Sequence, residues 1–299
     1  MIGLQDRHAA LRAIELEVLR RLDGILQGDY EGFIPGHGTE LGEARVYEPG
    51  DDVRRIDWNL TARTNHPHVR DAVADRELET TLVVDLSGSM SFGTAIHEKR
   101  DLAVAAAGAV GLLASRGGNR IGAILLEGSE QTRFPARGGR RHLQGVLMRM
   151  LESDREHGAA DLHAGLRQAD RVARRRGLVV VISDFLDRSD WHQPLAVLSR
   201  RHDVICMDIV DPRELELPAV GSLTLVDTET GVKRWVNTRS ERLRHRYRVA
   251  AHEQRLGIGQ RIRAAGADHV ALRTDRDWVA DLVRQIARRR RGGTTGRRP

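Results

Sequence analysis

The sequence predicts an α/β protein built on a doubly wound, mainly parallel sheet. Two observations support this fold class. Short β-branched runs alternate with helical segments along most of the chain. Two of these runs, residues 82–84 and 179–182, are apolar without interruption, which is typical of strands covered on both faces. We also expect an N-terminal helix, a small extended N-terminal region and a β-hairpin insertion.

The elements follow in order from local patterns. Apolar residues at helical spacing predict an amphipathic helix over residues 9–26, and a glycine-rich extended region follows over residues 30–49. The turn sequence at residues 228–231 joins the two halves of a predicted hairpin. We expect strands at 77–85, 121–126, 132–134, 178–182, 204–209, 223–227, 232–236 and 269–272, and helices at 102–115, 142–151, 161–176, 191–201, 239–265 and 278–288.

Three parts are predicted along the chain. Residues 1–76 form an N-terminal helix and a signature region packed on the core, and residues 77–287 form the α/β domain. Residues 288–299 form an arginine-rich tail with the composition of a disordered segment. Six of the 48 basic residues lie in this tail, and the rest are balanced by the 42 acidic residues, so the basic charge belongs to the tail.

Composition places the chain in a reducing compartment. The single cysteine, Cys206, excludes an intrachain disulfide. No signal peptide is apparent, and the longest nearly apolar stretch, residues 102–114, is shorter than the about 20 residues that span a bilayer. We therefore expect a cytoplasmic protein without a transmembrane segment.

A carboxylate and two hydroxyls follow the first central strand. Asp85, Ser87 and Ser89 form the pattern Asp-x-Ser-x-Ser where the strand turns into a loop, and Asp184 ends the later strand. Hard oxygen donors at strand ends suit a small divalent cation such as Mg2+. The alternative is that Asp85 only ends a strand and that the serines make a turn or a helix cap.

A second charged cluster precedes the domain, at residues 47–58. It interleaves carboxylates with arginines, and a network of ion pairs is a better interpretation than acid–base catalysis. Val53, Ile56 and Trp58 are expected to pack inward. The candidate interaction residues of this signature are Asp51, Asp52, Arg54, Arg55, Asp57, Trp58 and Arg63.

These motifs resemble a known family. Asp85-x-Ser87-x-Ser89 with Asp184 is similar to the metal-ion-dependent adhesion site of von Willebrand factor A (vWA) domains. Residues 47–58, followed by Thr61-Ala62-Arg63-Thr64, look like the signature ahead of that domain in a bacterial family of unknown function. In place of the threonine of the adhesion site, this chain has Ala160. The resemblance therefore implies Mg2+, Mn2+ or Ca2+ at Asp85, Ser87, Ser89 and Asp184, with Asp161 or water filling in.

The resemblance also implies a function. The family is associated with MoxR-type AAA+ ATPases in assembling or activating other proteins, so the chain is expected to be a non-enzymatic, metal-assisted adaptor with an unidentified client protein. It has no Gly-x-x-x-x-Gly-Lys-Ser/Thr phosphate loop, so ATP use would belong to the partner. The alternative is a metal-dependent hydrolase using Asp85 and Asp184. Nucleic-acid binding by the tail would be salt-dependent and unspecific.

Overall fold

The architecture is that of a computed structural model, which describes residues 44–49, 51–53, 56–70, 78–94, 97–116, 118–153, 158–226 and 232–284. The chain divides into two compact units, residues 36–77 and the remainder. The predicted helix at 9–26 and the tail at 288–299 lie outside the described residues.

The smaller unit contains a short antiparallel pair and one helix. Strand β1 (Ala44–Val46) pairs with β2 (His68–Arg70), and helix α1 (Trp58–Thr64) lies between them in the sequence. Asp57 caps α1 by accepting hydrogen bonds from the N–H groups of Asn59 and Leu60.

The larger unit is organised by a six-stranded sheet. Its strands are β3 (Glu79–Asp85), β4 (Arg120–Glu127), β5 (Glu130–Arg137), β6 (Leu178–Ser183), β7 (Asp203–Val210) and β10 (Asp268–Arg273). Their order across the sheet is β5-β4-β3-β6-β7-β10, and only the β4–β5 pairing in it is antiparallel. Counted in chain order this is 3-2-1-4-5-6, the doubly wound order. The predicted fold class is confirmed.

Helices cover both faces of this sheet. On one face lie α2 (Lys99–Arg116), α3 (Arg140–Glu152) and a helix described over residues 278–284. On the other lie α4 (Leu162–Val172), α5 (His192–Arg201) and a later helix, α7 (Glu241–Ala264). Strand residues alternate between the two apolar clusters, with Leu82 and Val84 in one and Val83 in the other. This is why the central strands read as uninterrupted apolar runs.

A hairpin and a long helix precede the last strand. After the short helix α6 (Pro212–Leu215), β8 (Ser222–Val226) pairs antiparallel with β9 (Lys233–Asn237), and α7 spans Glu241–Ala264. No helix among the described residues is long and apolar enough to cross a membrane.

Helix α1 was not predicted, α2 begins at Lys99 instead of at the predicted residue 102, and three further elements differ from the predictions. Strand β5 is longer than the predicted edge strand, because it pairs along almost all of β4. Helix α4 ends at Val172, four residues before the predicted end, and a short non-helical segment leads into β6. Helix α6 was not predicted. It carries a capping box between Asp211 and Glu214, a four-residue signal that is easily missed.

Candidate functional site

The candidate site lies where the strand order of the sheet reverses. β3 and β6 are parallel neighbours, yet the chain leaves β3 towards β4 on one side and leaves β6 towards β7 on the other. Ligands of open α/β sheets bind in the crevice at the carboxyl ends of such a pair of strands. Asp85 ends β3 and Asp184 directly follows β6, so the sheet brings the two predicted carboxylates to this crevice.

Asp85 is buried without a cationic partner among the described residues. Its side chain accepts hydrogen bonds from the backbone N–H of Ser87 at 2.9 Å and from the hydroxyl of Ser183 at 2.7 Å. Burial, and then the charge of Asp184, raise the pKa of Asp85 to about 6 despite these bonds. Among the described residues, Asp85 is therefore held by neutral hydrogen-bond donors.

The two predicted hydroxyls adjoin this carboxylate. Residues 88–91 form a turn of 3-10 helix after β3, and it places the hydroxyl oxygens of Ser87 and Ser89 3.1 Å apart. Both serines are buried. The N–H of Gly88 donates to the carbonyl of Gly158, at 3.4 Å, so the loop before α4 lies against this turn. The Asp-x-Ser-x-Ser pattern thus brings oxygen atoms of Asp85, Ser87 and Ser89 to the end of β3.

Asp184 is held by protein cations instead. The ammonium of Lys99 donates to Asp184 Oδ2 at 2.7 Å, and the N–H of Leu186 donates to Oδ1 at 3.0 Å. Both Lys99 and Asp184 are fully buried. Burial raises the pKa of Asp184, but the charge and hydrogen bond of Lys99, the N–H of Leu186 and the charge of Arg255 together outweigh it, so the pKa is lowered. Asp184 is therefore an ionised, already paired carboxylate.

The backbone after Asp184 turns sharply. Phe185 has a φ of 54°, in the left-handed region that a residue with a bulky side chain rarely adopts. Its ring is buried and packs edge-on against Trp191, with ring centroids 5.3 Å apart. Its N–H donates to the Ser183 hydroxyl at 3.0 Å, the same hydroxyl that bonds Asp85. The packing of Phe185 against Trp191 thus stabilises a strained backbone turn directly after Asp184.

A buried ion network extends from Lys99 to helix α7. Lys99 also pairs with Glu214 at 2.5 Å, and Glu214 accepts from Arg255 at 2.7 Å. Arg255 donates further to Asp208 and to the carbonyl of Asp184. We did not predict this network from the sequence. Local patterns did not reveal it, because its members come from α2, β7, α6 and α7.

The network around Lys99 contains more carboxylates than permanently charged basic groups. Lys99 and Arg255 contribute two positive charges, whereas Asp184, Asp208 and Glu214 contribute three negative ones, and His269 lies 3.2 Å from Asp208. An ionised Asp85 adds a fourth negative charge. The oxygens of Asp85, Ser87 and Ser89 are the kind of donor that a hard cation prefers. Both oxygens of Asp184 already accept hydrogen bonds, from Lys99 and from the N–H of Leu186. Within the described ranges no three His, Cys, Asp or Glu side chains cluster as metal ligands, so the two hydroxyls are essential to such a site.

Ala160 and Asp161, in the loop before α4, have structural roles of their own. Asp161 caps α4, and its Oδ1 accepts from the N–H of Ala164 at 2.8 Å. Ala160 is buried in the apolar cluster on the α4 side of the sheet. Capping of α4 therefore explains the position of the Asp161 side chain without a bound metal. The methyl side chain of Ala160 has no oxygen that could bind one.

Comparison with known proteins assigns the family. The model of DUF58, a family described as proteins of unknown function, matches residues 43–257. This chain belongs to the DUF58 family. It is 51% identical over 291 residues to uncharacterized proteins of Mycobacterium tuberculosis (Rv1480) and Mycobacterium bovis (Mb1516), covering 96% of this chain and 91% of each relative. The predicted membership of a family of unknown function is confirmed.

Two solved structures with partial similarity to this chain are a conserved hypothetical protein and a VWA domain. The conserved hypothetical protein BatB of Bacteroides thetaiotaomicron has a TM-score of 0.43 and 13% identity, over 72% of this chain and 99% of that one. The VWA domain of SpRpn10 has a TM-score of 0.41 and 14% identity, over 70% and 94%.

The DUF58 match also covers most of the predicted signature region. Asp51 accepts two hydrogen bonds from the Arg45 guanidinium, at 2.6 and 2.7 Å, and Arg45 holds the pKa of Asp51 below its ordinary value. Asp57 caps α1, and Asp52 and Arg63 are exposed. Arg54 and Arg55 lie outside the described residues.

The inward packing expected of this region is wrong for two residues. Trp58 is 69% exposed and Val53 is 59% exposed. The Asp57 cap makes Trp58 the first residue of α1, and this seven-residue helix buries none of its side chains. Trp58 is therefore not covered by any of the described residues, and it remains a candidate for interaction.

Proposed function

We propose that this DUF58 protein is a non-enzymatic protein-interaction module whose partner binds at the crevice between β3 and β6. The buried Asp85, which has no cationic partner in the described part of the chain, carries the proposal. A buried carboxylate with a raised pKa is costly to maintain, and such sites concentrate where a ligand is bound.

We further propose that Asp85, Ser87 and Ser89 hold a divalent cation, Mg2+ or alternatively Mn2+ or Ca2+, with Asp184 acting through water. The ion would neutralise Asp85 and offer an open position to a carboxylate of the partner. In this arrangement Lys99 keeps Asp184 ionised and fixed in position. Ser183 and the N–H of Ser87 orient the Asp85 carboxylate.

The proposed partner is a MoxR-type AAA+ ATPase, and the pair would assemble or activate a client protein. This part of the proposal is supported by the sequence resemblance. The chain has no phosphate loop of its own, so the ATPase would supply the nucleotide-driven work.

The test is binding of the purified ATPase of the same organism to this protein in Mg2+. Asp85→Asn preserves the size of the side chain but removes its charge, and we expect it to weaken binding by about tenfold or more. The matched control is Asp190→Asn, at a side chain that is 71% exposed. Equal binding of the Asp85→Asn variant and the unmodified protein would contradict the proposal.

A further inference from the structure

A second surface lies on the hairpin and the first part of α7, away from the residues of the crevice in sequence. We define the basic arm as residues 220–226 and 232–250. The first buried residue of α7 is Ala251, and before it the helix contacts α6 through Tyr247, whose hydroxyl donates to the carbonyl of Arg213 at 3.4 Å. A helical stretch of ten residues without a buried side chain contributes little to the core.

The arm is nevertheless well tied together. The backbone N–H and the hydroxyl of Thr238 both donate to the carbonyl of Gly221, at 2.6 and 2.7 Å. The Arg244 guanidinium donates to the carbonyl of Thr238 at 2.6 Å, and Ser240 caps α7. The hairpin base and the helix start therefore form one connected structure, and an exposed face on it is available in a defined geometry.

One face of the hairpin is exposed at every residue. In the β8–β9 register Thr224 lies opposite Trp235, and Val226 lies opposite Lys233, so these four side chains share a face. Trp235 is 70% exposed and Val226 is 50% exposed. The opposite face carries the half-buried Leu223, Leu225 and Val236. The outer face thus presents an exposed tryptophan and an exposed valine among polar side chains, and it has no partner in the described part of the chain.

The arm is also strongly basic. Residues 220–250 contain seven lysines and arginines against three acidic residues, Asp227, Glu229 and Glu241, which gives a formal charge of +4. Arg242, Arg244, His245 and Arg248, together with Glu241, line a surface cavity of about 400 Å³. Cationic side chains around such a cavity suit carboxylates.

We propose that the basic arm docks on an acidic surface of a partner protein, with Trp235 as the apolar anchor and the arginines of α7 binding carboxylates. An apolar centre with a charged rim, rich in Trp and Arg, is the composition of protein–protein interfaces. Platforms for single-stranded nucleic acids stack successive bases on several aromatic rings, whereas this face carries one. A second copy of the chain would bring like charges together, and so would the arginine-rich tail.

The test uses two labelled probes at physiological salt: a synthetic peptide of alternating glutamate and leucine, and oligothymidylate. We expect the peptide to bind, and the double charge reversal Arg242→Glu/Arg246→Glu to weaken its binding by about tenfold or more. Trp235→Ala should weaken binding of this peptide but not of polyglutamate. Matched controls are Arg171→Glu/Arg200→Glu, at exposed arginines of α4 and α5, and Val197→Ala, at an exposed apolar side chain of α5.

Several outcomes would overturn the proposal. Absence of peptide binding, or equal binding by the arm variants and the control variants, would contradict an acidic partner. Tighter binding of oligothymidylate, lost in the same arm variants, would assign the arm to nucleic acid instead. Asp85→Asn should leave peptide binding unchanged, which separates the arm from the proposed crevice. Circular dichroism of each variant establishes that the fold is retained.

Discussion

At the scale of single residues, two neighbouring carboxylates are treated in opposite ways. Asp184 is compensated by Lys99 and remains ionised, while Asp85 is left with neutral donors and has its pKa raised to about 6. The Asp-x-Ser-x-Ser motif could be predicted because its members are close in sequence. The state of Asp184 could not, since Lys99 lies 85 positions away and helical patterning gave no sign of its burial.

The raised pKa of Asp85 predicts a pH-dependent stability. Between its ordinary value of 3.8 and about 6, the folded protein binds more protons at this site than the unfolded chain does. Stability from Asp85 is therefore present at low pH and is lost as the pH rises through 6, by about 3 kcal/mol. In a chelator, we expect Asp85→Asn to gain stability relative to the unmodified protein between pH 4 and pH 8.

Urea denaturation of both proteins at several pH values measures this difference directly. Using the difference between the two proteins cancels the titration of groups that they share. A stability difference that is constant over this range would show that ionisation of Asp85 does not destabilise the folded protein.

Lys99 should be among the most sensitive positions for stability. Lys99→Met removes the charge while nearly retaining the volume, and it leaves Asp184 buried without its ammonium partner. We expect a loss of about 3–5 kcal/mol in the free energy of unfolding. In the control Arg201→Met, which breaks the exposed pair with Asp170, the loss should stay below about 1 kcal/mol. Similar losses in the two variants would refute the central role of the Lys99 pair.

At the scale of elements, apolar runs in the sequence predicted strands correctly where helices pack on both faces of the sheet. The runs at 82–84 and 179–182 became central strands, since helices cover both faces of the sheet. Prediction was poorer where an element is defined by hydrogen bonds, as in the capping box of α6, or by a partner strand, as in β5. The inward packing of Trp58 failed because a spacing pattern cannot show whether a core is within reach.

Two glycine substitutions with opposite expected effects test how closely the elements pack. A Cβ on Gly177, just before β6, would lie 2.2 Å from the backbone carbonyl oxygen of Glu79 in β3. Gly177→Ala must therefore shift the two central strands, and we expect it to destabilise the protein by about 1–3 kcal/mol. Gly145, exposed in α3, has no neighbour within 4 Å, so Gly145→Ala should stabilise by about 0.5–1 kcal/mol. Thermal denaturation distinguishes the opposite signs.

At the scale of the whole molecule, the sheet order determines where the site lies. The order 3-2-1-4-5-6 makes β3 and β6 neighbours and puts Asp85 and Asp184 at one crevice. Alternating strands and helices predicted the fold class, but which strands are adjacent is a long-range property that the sequence pattern does not determine. The two proposed interaction surfaces differ in how they are recognised. The crevice is indicated by a sequence motif, whereas the basic arm is indicated by the exposure of its side chains in the structure.

The central claim is that the crevice receives a cation at Asp85, Ser87 and Ser89. The most direct measurement is calorimetric titration of Mg2+ into the purified protein, repeated on Asp85→Ala. The account predicts saturable binding to the unmodified protein, release of protons near pH 6 as Asp85 ionises, and no binding to the variant. Absence of binding at millimolar Mg2+, or equal binding by both proteins, would contradict it.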